Sequence, residues 1–336
     1  MRPLDRLPSI KVKFGVVIVA AVAVTAIAIA VGVSLGVPLV VCALAAAALA
    51  LAMVQVLARG MTSPLREMAA ASRAMARGDH ERRVAATSRD EVGELARAFN
   101  TMAGELGEVD RMRRELIANV SHELRTPITG LQATLENLID GVEQPDRETL
   151  ELMHAQVERL GRLIAQLLDL SRLETAGTRL ERERFEVAGL LDAAAGEARL
   201  HAQESGRAVE LIVDVPNGLT VYGDRDRLHQ VVANLIDNAV RHSPKGGRVV
   251  VSGEQAAGSV AVAVADEGPG IPPAERSRVF ERFYRIDAAR AAADGGTGLG
   301  LAIARGIVDL HGGLIQVEQA PGGGCRMVVV LPEPAR

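Results

Sequence analysis

From Phe14 to Ala58 the chain carries no charged residue. As one helix that run would be about 68 Å long at ~1.5 Å per residue, roughly twice the ~30 Å hydrocarbon thickness of a bilayer. Ser34-Leu35-Gly36-Val37-Pro38 breaks it near the middle. The simplest solution is a membrane hairpin over 14–58, with two spans near 14–34 and 38–58. Arg2, Arg6, Lys11 and Lys13 flank one outer end, and Arg59 and Arg66 the other. The positive-inside rule then places both ends in the cytoplasm, with 1–13 as a short tail. A cleaved signal peptide competes, since a basic start precedes an apolar run, but the run is too long for one h-region. Leu39-Val40-Val41-Cys42 makes a poor lipoprotein cleavage box, because Val41 is not small and the sequence stays apolar beyond Cys42. So few residues would face outward that a stimulus must come from the bilayer, from a membrane-embedded partner, or from inside.

The full length of 336 residues allows two or three domains. Trp is absent and only two Tyr and five Phe occur, so Ala, Val and Leu must fill the cores. A net charge of −4 without a basic block argues against nucleic acid as a partner. Cys42 and Cys325 imply no disulfide, and no Cys/His metal cluster is visible.

Residues 59–107 predict two amphipathic helices joined by a polar connector containing Arg77-Gly78-Asp79-His80. The first carries Leu65, Met68 and Met75, with Ser72 in register. The second carries Val92, Leu95, Phe99, Met102 and Leu106 in three-four alternation, as in a coiled coil. Acids at a helix start suit its dipole, so Asp90-Glu91 could be only a cap. With Pro64 after the membrane, the segment resembles a HAMP linker. That resemblance implies a parallel four-helix dimer that relays motion from the membrane.

The helical pattern continues through Leu116, Val120, Leu124, Ile128, Leu131, Leu135 and Leu138. Asp140-Gly141-Val142-Glu143-Gln144-Pro145 breaks it. A second stripe follows in Leu150, Met153, Val157, Leu160, Ile164, Leu167 and Leu170. Two such helices cannot bury their stripes alone, so two hairpins forming a four-helix bundle, and hence a homodimer, are expected. His122 and Glu123 sit inside the first stripe's helix, and Thr126 shares a face with His122. Pro127 cannot donate to the carbonyl of Glu123 and crowds that turn. A bend there would leave the imidazole accessible. A neighbouring carboxylate can accept from one ring nitrogen and leave the other nucleophilic.

From Glu183 the texture changes to short strands alternating with helices. Residues 224–242 read as a helix burying Leu228, Val231, Val232, Leu235, Ile236 and Ala239, with Asn234 and Asn238 four apart on one face. Asn is mildly unfavourable inside a helix, so two in register ask for a reason. Residues 260–265 read as a strand ending in Asp266-Glu267-Gly268-Pro269-Gly270. The polar, Ala-rich stretch 285–293 suits a mobile lid. Gly295-Gly296-Thr297-Gly298-Leu299-Gly300 then opens a helix, offering backbone N–H groups to phosphate. The flanking order fits neither a P-loop nor a dinucleotide fingerprint.

Together these stretches resemble bacterial membrane-bound sensor histidine kinases. Val120-Ser121-His122-Glu123-Leu124-Arg125-Thr126-Pro127 resembles their H box. Asn234-Leu235-Ile236-Asp237-Asn238-Ala239 resembles the N box, and Val279-Phe280-Glu281-Arg282-Phe283-Tyr284 the F box. The Asp266 and Gly-rich segments resemble boxes of the ATPase fold shared with gyrase and Hsp90. The boxes occur in family order, and the resemblance covers the chain from about residue 55 onward. It implies a phosphotransfer hairpin over 108–176 and an α/β sandwich ATP-binding domain over 177–336. It implies His122 as phospho-acceptor and Glu123 as its base, with Thr126 and Glu123 positioning water for dephosphorylation. Asn238 would hold Mg²⁺, and Arg241 would contact phosphate. Asp266 would read adenine, while Asn234, Gly268, Gly270, Gly296, Thr297, Gly298, Leu299 and Gly300 would complete the ATP site. The implied recipient is an aspartate on a cognate response regulator, and the implied location is a bacterial inner membrane, multi-pass. His242 and Cys325 depart from the pattern, where an aromatic and Thr are usual. A dead-kinase scaffold would have lost His122, Asn238, Asp266 or the Gly-rich loop. A gyrase-type ATPase would lack the hairpin and the anchor.

Overall fold

The computed structural model describes residues 9–174, 180–256, 258–286 and 296–333. Arg2, Arg6, the linker expected at 175–178, Gly295 and most of the polar stretch 285–293 lie outside them. The chain divides into two units, Met1–Ile117 and Ala118–Arg336.

In the first unit, α1 (Ile10–Ser34) packs against α2 (Leu39–Met75). The turn between them is a Schellman motif. Gly36, at φ 75, donates to the carbonyl of Val33, and Val37 donates to that of Gly32. Gly32 also admits Cys42, whose Sγ would lie 2.3 Å from a Cβ there. Among the described helices α1 is long and apolar enough to cross a membrane, whereas the apolar part of α2, Leu39–Gln55, is shorter. α2 runs on through Pro64, so the apolar segment and the first linker helix are one element.

After an extended connector the chain enters α3 (Glu91–Ile139). Asn100 clasps the connector with both amide atoms, to the N–H and the carbonyl of Val84, each at 2.9 Å. Met68, Ala71, Val84 and Ala96 form a small core. Leu65, Leu95, Met102 and Leu106, by contrast, remain exposed in a single chain. The expected stripe is thus divided: Met68, Val92 and Phe99 pack internally, while Leu65, Leu95, Met102 and Leu106 face outward.

Asp90 does more than the cap foreseen. Its Oδ1 accepts from the N–H of Gly93, closing the first turn of α3. Its Oδ2 lies 2.5 Å from Nζ of Lys13, which also reaches Ser88 Oγ at 2.8 Å. Lys13 and Asp90 are only 5% and 3% exposed, a burial that charged groups tolerate when paired. Burial pushes the Asp90 carboxyl up, but the bonds from Lys13, Ser88 and Gly93 together outweigh it and hold the group below its usual range. One residue on, Glu91 accepts from Ser9 Oγ and from the N–H of Ile10, both at 2.7 Å. Gly93 is required because a Cβ would lie 1.8 Å from the carbonyl oxygen of Ser88.

In the second unit, α3 continues through Pro127 as one helix, the chain turns at 140–146, and α4 (Arg147–Glu174) follows. Then come β1 (Arg182–Glu186), α5 (Val187–Glu204), β2 (Glu210–Asp214), β3 (Thr220–Asp224), α6 (Arg225–His242), β4 (Arg248–Ala256) and β5 (Ser259–Asp266). The last elements are α7 (Gly300–Leu310), β6 (Leu314–Gln319) and β7 (Cys325–Pro332). A five-stranded sheet has the order β2-β4-β5-β7-β6, with β2 parallel to β4 and the other pairs antiparallel. β1 and β3 form a separate antiparallel pair. Helices α5, α6 and α7 pack on the large sheet, and all six apolar residues expected inside α6 are buried. This is the expected helical hairpin followed by an α/β sandwich.

His311 ties the α7 end to the start of α6. Its Nε2 accepts from the N–H of Asp224 at 2.9 Å, so Nδ1 carries the proton and donates to the carbonyl of Ile307 at 2.8 Å. Burial pushes its pKa below the usual value, with the charge of Arg182 adding to the effect. Stability from this group is full above its ordinary value of about 6.5 and falls as the pH drops below it. Thermal melts between about pH 8 and pH 5 will show that fall, and His311→Gln will flatten it.

Candidate functional site

In the second unit, a cavity of about 530 Å³ opens among α6, α4, the turn after β5 and the Gly-rich loop before α7. Asn234, Asn238 and Arg241 line it from α6, and Asp266 and Gly270 from the turn. Gly296, Thr297, Gly298 and Gly300 line it from the loop. The i, i+4 spacing of the two asparagines puts both amides on one face of α6. Nδ2 of Asn234 is buried without a hydrogen-bond partner among the described residues, so this wall holds an unused donor.

Asp266 is the buried acid of the site. Its Oδ1 accepts from the N–H groups of Gly268 and Cys325, at 2.8 and 3.1 Å. Both bonds fall on one oxygen and fix the carboxylate's direction. Gly270 and Gly324 pack backbone on backbone around it, at φ 72 and 80, and a Cβ on Gly324 would lie 2.0 Å from the carbonyl oxygen of Asp266.

Gly268 and Leu299 do not line the cavity. Gly268 is needed beneath it: a Cβ there would lie 2.7 Å from the carbonyl oxygen of His242. Leu299 is fully buried in the core, and only its backbone, donating to Thr297 Oγ1, belongs to the loop. The Gly-rich loop is braced from outside. Phe283 takes the left-handed conformation at φ 61, and its N–H donates to the carbonyl of Gly298 at 2.9 Å. Arg241 lies against the same loop: its Nη1 would sit 2.3 Å from a Cβ on Gly296, while its Nη2 pairs with Asp237 at 2.7 Å.

Two lining residues gave no sequence signal: Arg162 and Gln166, from the polar face of α4. Thr297 Oγ1 donates to Gln166 Oε1 at 2.6 Å. One turn further, Asp169 accepts from Gln230 Nε2 at 2.7 Å and faces Arg227 at 3.5 Å. Only tertiary packing brings these together.

His122, Glu123 and Thr126 do not line the cavity. His122 is exposed on α3, as expected beside Pro127, and Thr126 Oγ1 donates to its carbonyl at 3.2 Å. Glu123 is not joined to the imidazole. It points across the hairpin to Arg159 of α4, Nη2 to Oε2 3.6 Å. Adjacent helical side chains leave the helix about 100° apart, and the contact with Arg159 keeps the Glu123 carboxylate on the α4 side.

Three family models match the chain. They are the HAMP domain over residues 56–108, the His Kinase A (phospho-acceptor) domain over 112–176, and the histidine kinase-, DNA gyrase B- and HSP90-like ATPase over 223–335. The solved Acinetobacter baumannii histidine kinase AdeS is 32% identical with a TM-score of 0.52, covering 64% of this chain and 98% of that one. The chain belongs to the sensor histidine kinases.

Among curated members of this family, the signal transduction histidine-protein kinase BaeS of Escherichia coli K12 is 38% identical over 277 residues. The match covers 82% of this chain and 59% of BaeS. The histidine-protein kinase/phosphatase MprB of Mycolicibacterium smegmatis is 38% identical over 289 residues, 82% of this chain and 57% of MprB. The chain thus spans less than two thirds of these relatives. The histidine kinase ThkA, solved with the response regulator protein TrrA, shares the fold at a TM-score of 0.57 and 24% identity, covering 68% of this chain and 64% of that one.

Cys325 also lines the cavity of this histidine kinase, beside Asp266. Burial pushes its thiol up to about 12, with the charge of Asp266 adding to the effect. At about pH 8 the thiolate fraction is then roughly one in ten thousand. Cys325 will react with maleimide far more slowly than a free thiol in the folded protein, and at an ordinary rate in denaturant, as peptide mass spectrometry will report.

Proposed function

We propose that the chain is a membrane-bound protein histidine kinase that phosphorylates itself on His122 with ATP and passes the phosphoryl group to an aspartate of a response regulator. The observation that carries this reading is the convergence of Asn234, Asn238, Arg241, Asp266 and the Gly-rich loop on one cavity, in a chain whose hairpin exposes His122. The boundaries we assign are 1–13 for a cytoplasmic tail, 14–58 for a two-span membrane hairpin, and 59–107 for the HAMP linker. Residues 108–176 form the dimerisation and phosphotransfer domain, and 177–336 the ATP-binding domain. Both ends of the hairpin face the cytoplasm of a bacterial inner membrane.

Each residue has a role its position suits. Asp266, held by two N–H groups on one oxygen, accepts from the exocyclic amine of adenine, and Gly270 lets backbone approach the base. The loop Gly296–Gly300 offers N–H groups and the start of α7 to the phosphates. Asn234 supplies its unused amide donor, and the fork of Arg241 suits phosphate once it leaves Asp237. No group of three or more His, Cys, Asp or Glu that could cage a metal occurs among the described residues. That donor set fits Mg²⁺ brought with the nucleotide and held by the amide oxygen of Asn238, phosphate and water. When bound, Mg²⁺ offsets charge on the transferring phosphoryl group.

In the transfer, one ring nitrogen of His122 attacks the γ-phosphorus. A nitrogen–phosphorus bond forms, the bond from that phosphorus to the bridging oxygen breaks, and ADP leaves. Glu123 takes the proton from the other ring nitrogen. With Thr126 it also positions water for dephosphorylating the regulator, as a kinase/phosphatase of the MprB kind would require. A homodimer covers the apolar residues that one hairpin leaves exposed, among them Val157, Ile164 and Leu168.

The test uses full-length protein in lipid nanodiscs with γ-labelled ATP and Mg²⁺. Wild type will take up an acid-labile, base-stable label. His122→Ala and Asn238→Ala will each lose it, Asn238→Ala by at least about a hundredfold. Label that survives in His122→Ala would overturn the acceptor assignment.

A further inference from the structure

The partner of Glu123 carries a consequence for the phosphoryl-transfer step. Arg159 and Glu123 face each other across the hairpin at 3.6 Å, with side chains 20% and 23% exposed. Three neighbouring polar residues of α4, Glu158, Arg162 and Gln166, have other surroundings. Glu158 faces His154 and Arg162 along its own exposed side. Arg162 and Gln166 line the nucleotide cavity. Arg159 is the α4 residue paired, among the described residues, with the carboxylate next to the proposed acceptor. His122, one residue away, is exposed and has no hydrogen bond to Glu123 among the described residues.

We propose that Arg159 is a positioning residue that acts through Glu123. It holds the carboxylate against α4, and the imidazole of His122 gains its base only when the Arg159–Glu123 pair opens. The inference rests on the assignment of Glu123 as the base. The contact is well suited to opening, because a partly exposed ion pair is held weakly. Removing one partner shifts such an equilibrium by only about two- to fivefold. The pair thus sets a resting rate without abolishing the reaction. The proton still passes from the ring to Glu123 as the nitrogen–phosphorus bond forms, and Arg159 enters no bond made or broken.

The experiment measures initial rates of His122 phosphorylation against ATP concentration, using full-length protein in nanodiscs. The set is wild type, Arg159→Gln, Arg159→Lys, Glu123→Gln and the Arg159→Gln/Glu123→Gln double variant. Arg159→Gln is expected to raise kcat about two- to fivefold with KM for ATP unchanged. Arg159→Lys keeps the cation and is expected to stay near the wild-type rate. In the Glu123→Gln background, Arg159→Gln is expected to change nothing. A kcat that falls or stays level in Arg159→Gln, while Glu123→Gln alone lowers it, overturns the inference and leaves Glu123 as the base. A rise that persists in the double variant assigns the effect to hairpin packing and overturns it as well. Wild-type kcat in Glu123→Gln removes the base assignment itself. Should Arg159→Gln melt early, Arg159→Met keeps the packing of the stem and reads the same step.

Discussion

Apolar side chains that one chain cannot cover set the terms for its helical part. In the linker, Leu65, Leu95, Met102 and Leu106 stay in solvent; in the hairpin, Ile128, Leu135, Leu150, Val157, Ile164 and Leu168 do. Two packed helices bury the strip between them and leave the flanking strips bare. Exposed apolar surface at helical spacing marks an interface. The proposed dimer follows from that surplus. So does the placement of chemistry in the proposed reaction, where His122 has to lie away from any covered strip to meet a nucleotide and a second protein.

The first unit meets a different constraint at its polar end. A Lys and an Asp that are almost fully dry are held only by each other and by hydrogen bonds. Removing one would strand the other, a far heavier penalty than losing a surface pair. Asp90 also caps α3, so the start of that helix and its docking on α1 depend on the same carboxylate. The nucleotide site is built on the opposite principle. Its fixed parts are backbone, where Gly270, Gly324 and Gly298 allow close approach, and its side chains keep an unused donor on Asn234 and the partly exposed Arg241–Asp237 pair.

Local pattern made much of this legible. The buried face of α6, the asparagine pair, the strand ending at Asp266 and the Gly-rich loop all depend on residues near in sequence. Periodicity and turn chemistry report such features directly. The break at 34–38 was legible for the same reason, and the structure adds how Gly36 and Gly32 make it. What stayed hidden depends on partners far apart in the chain. Lys13 and Asp90 are separated by seventy-seven positions, and Thr297 and Gln166 by 131. Nothing in the texture of α4 singles out Arg159 or Arg162 from its other arginines. Gly268 and Leu299 show the converse: they sit within recognisable stretches, yet they serve the walls behind the cavity. Adjacency in the chain did not reveal the partner Glu123 takes in the structure, Arg159 of α4, thirty-six positions on.

The scarcity of aromatics, which leaves the cores to Ala, Val and Leu, has a spectroscopic consequence. With no Trp, ultraviolet emission from the chain comes from two tyrosines. Tyr222 lies partly exposed on β3, whereas Tyr284 lines the cavity, with its hydroxyl on Glu275 and its ring under Arg278. A carboxylate on the phenol quenches tyrosine emission, so a ligand that disturbs this contact would brighten one of only two fluorophores. The protein therefore carries its own optical probe on the wall of the site, against a background that no indole obscures.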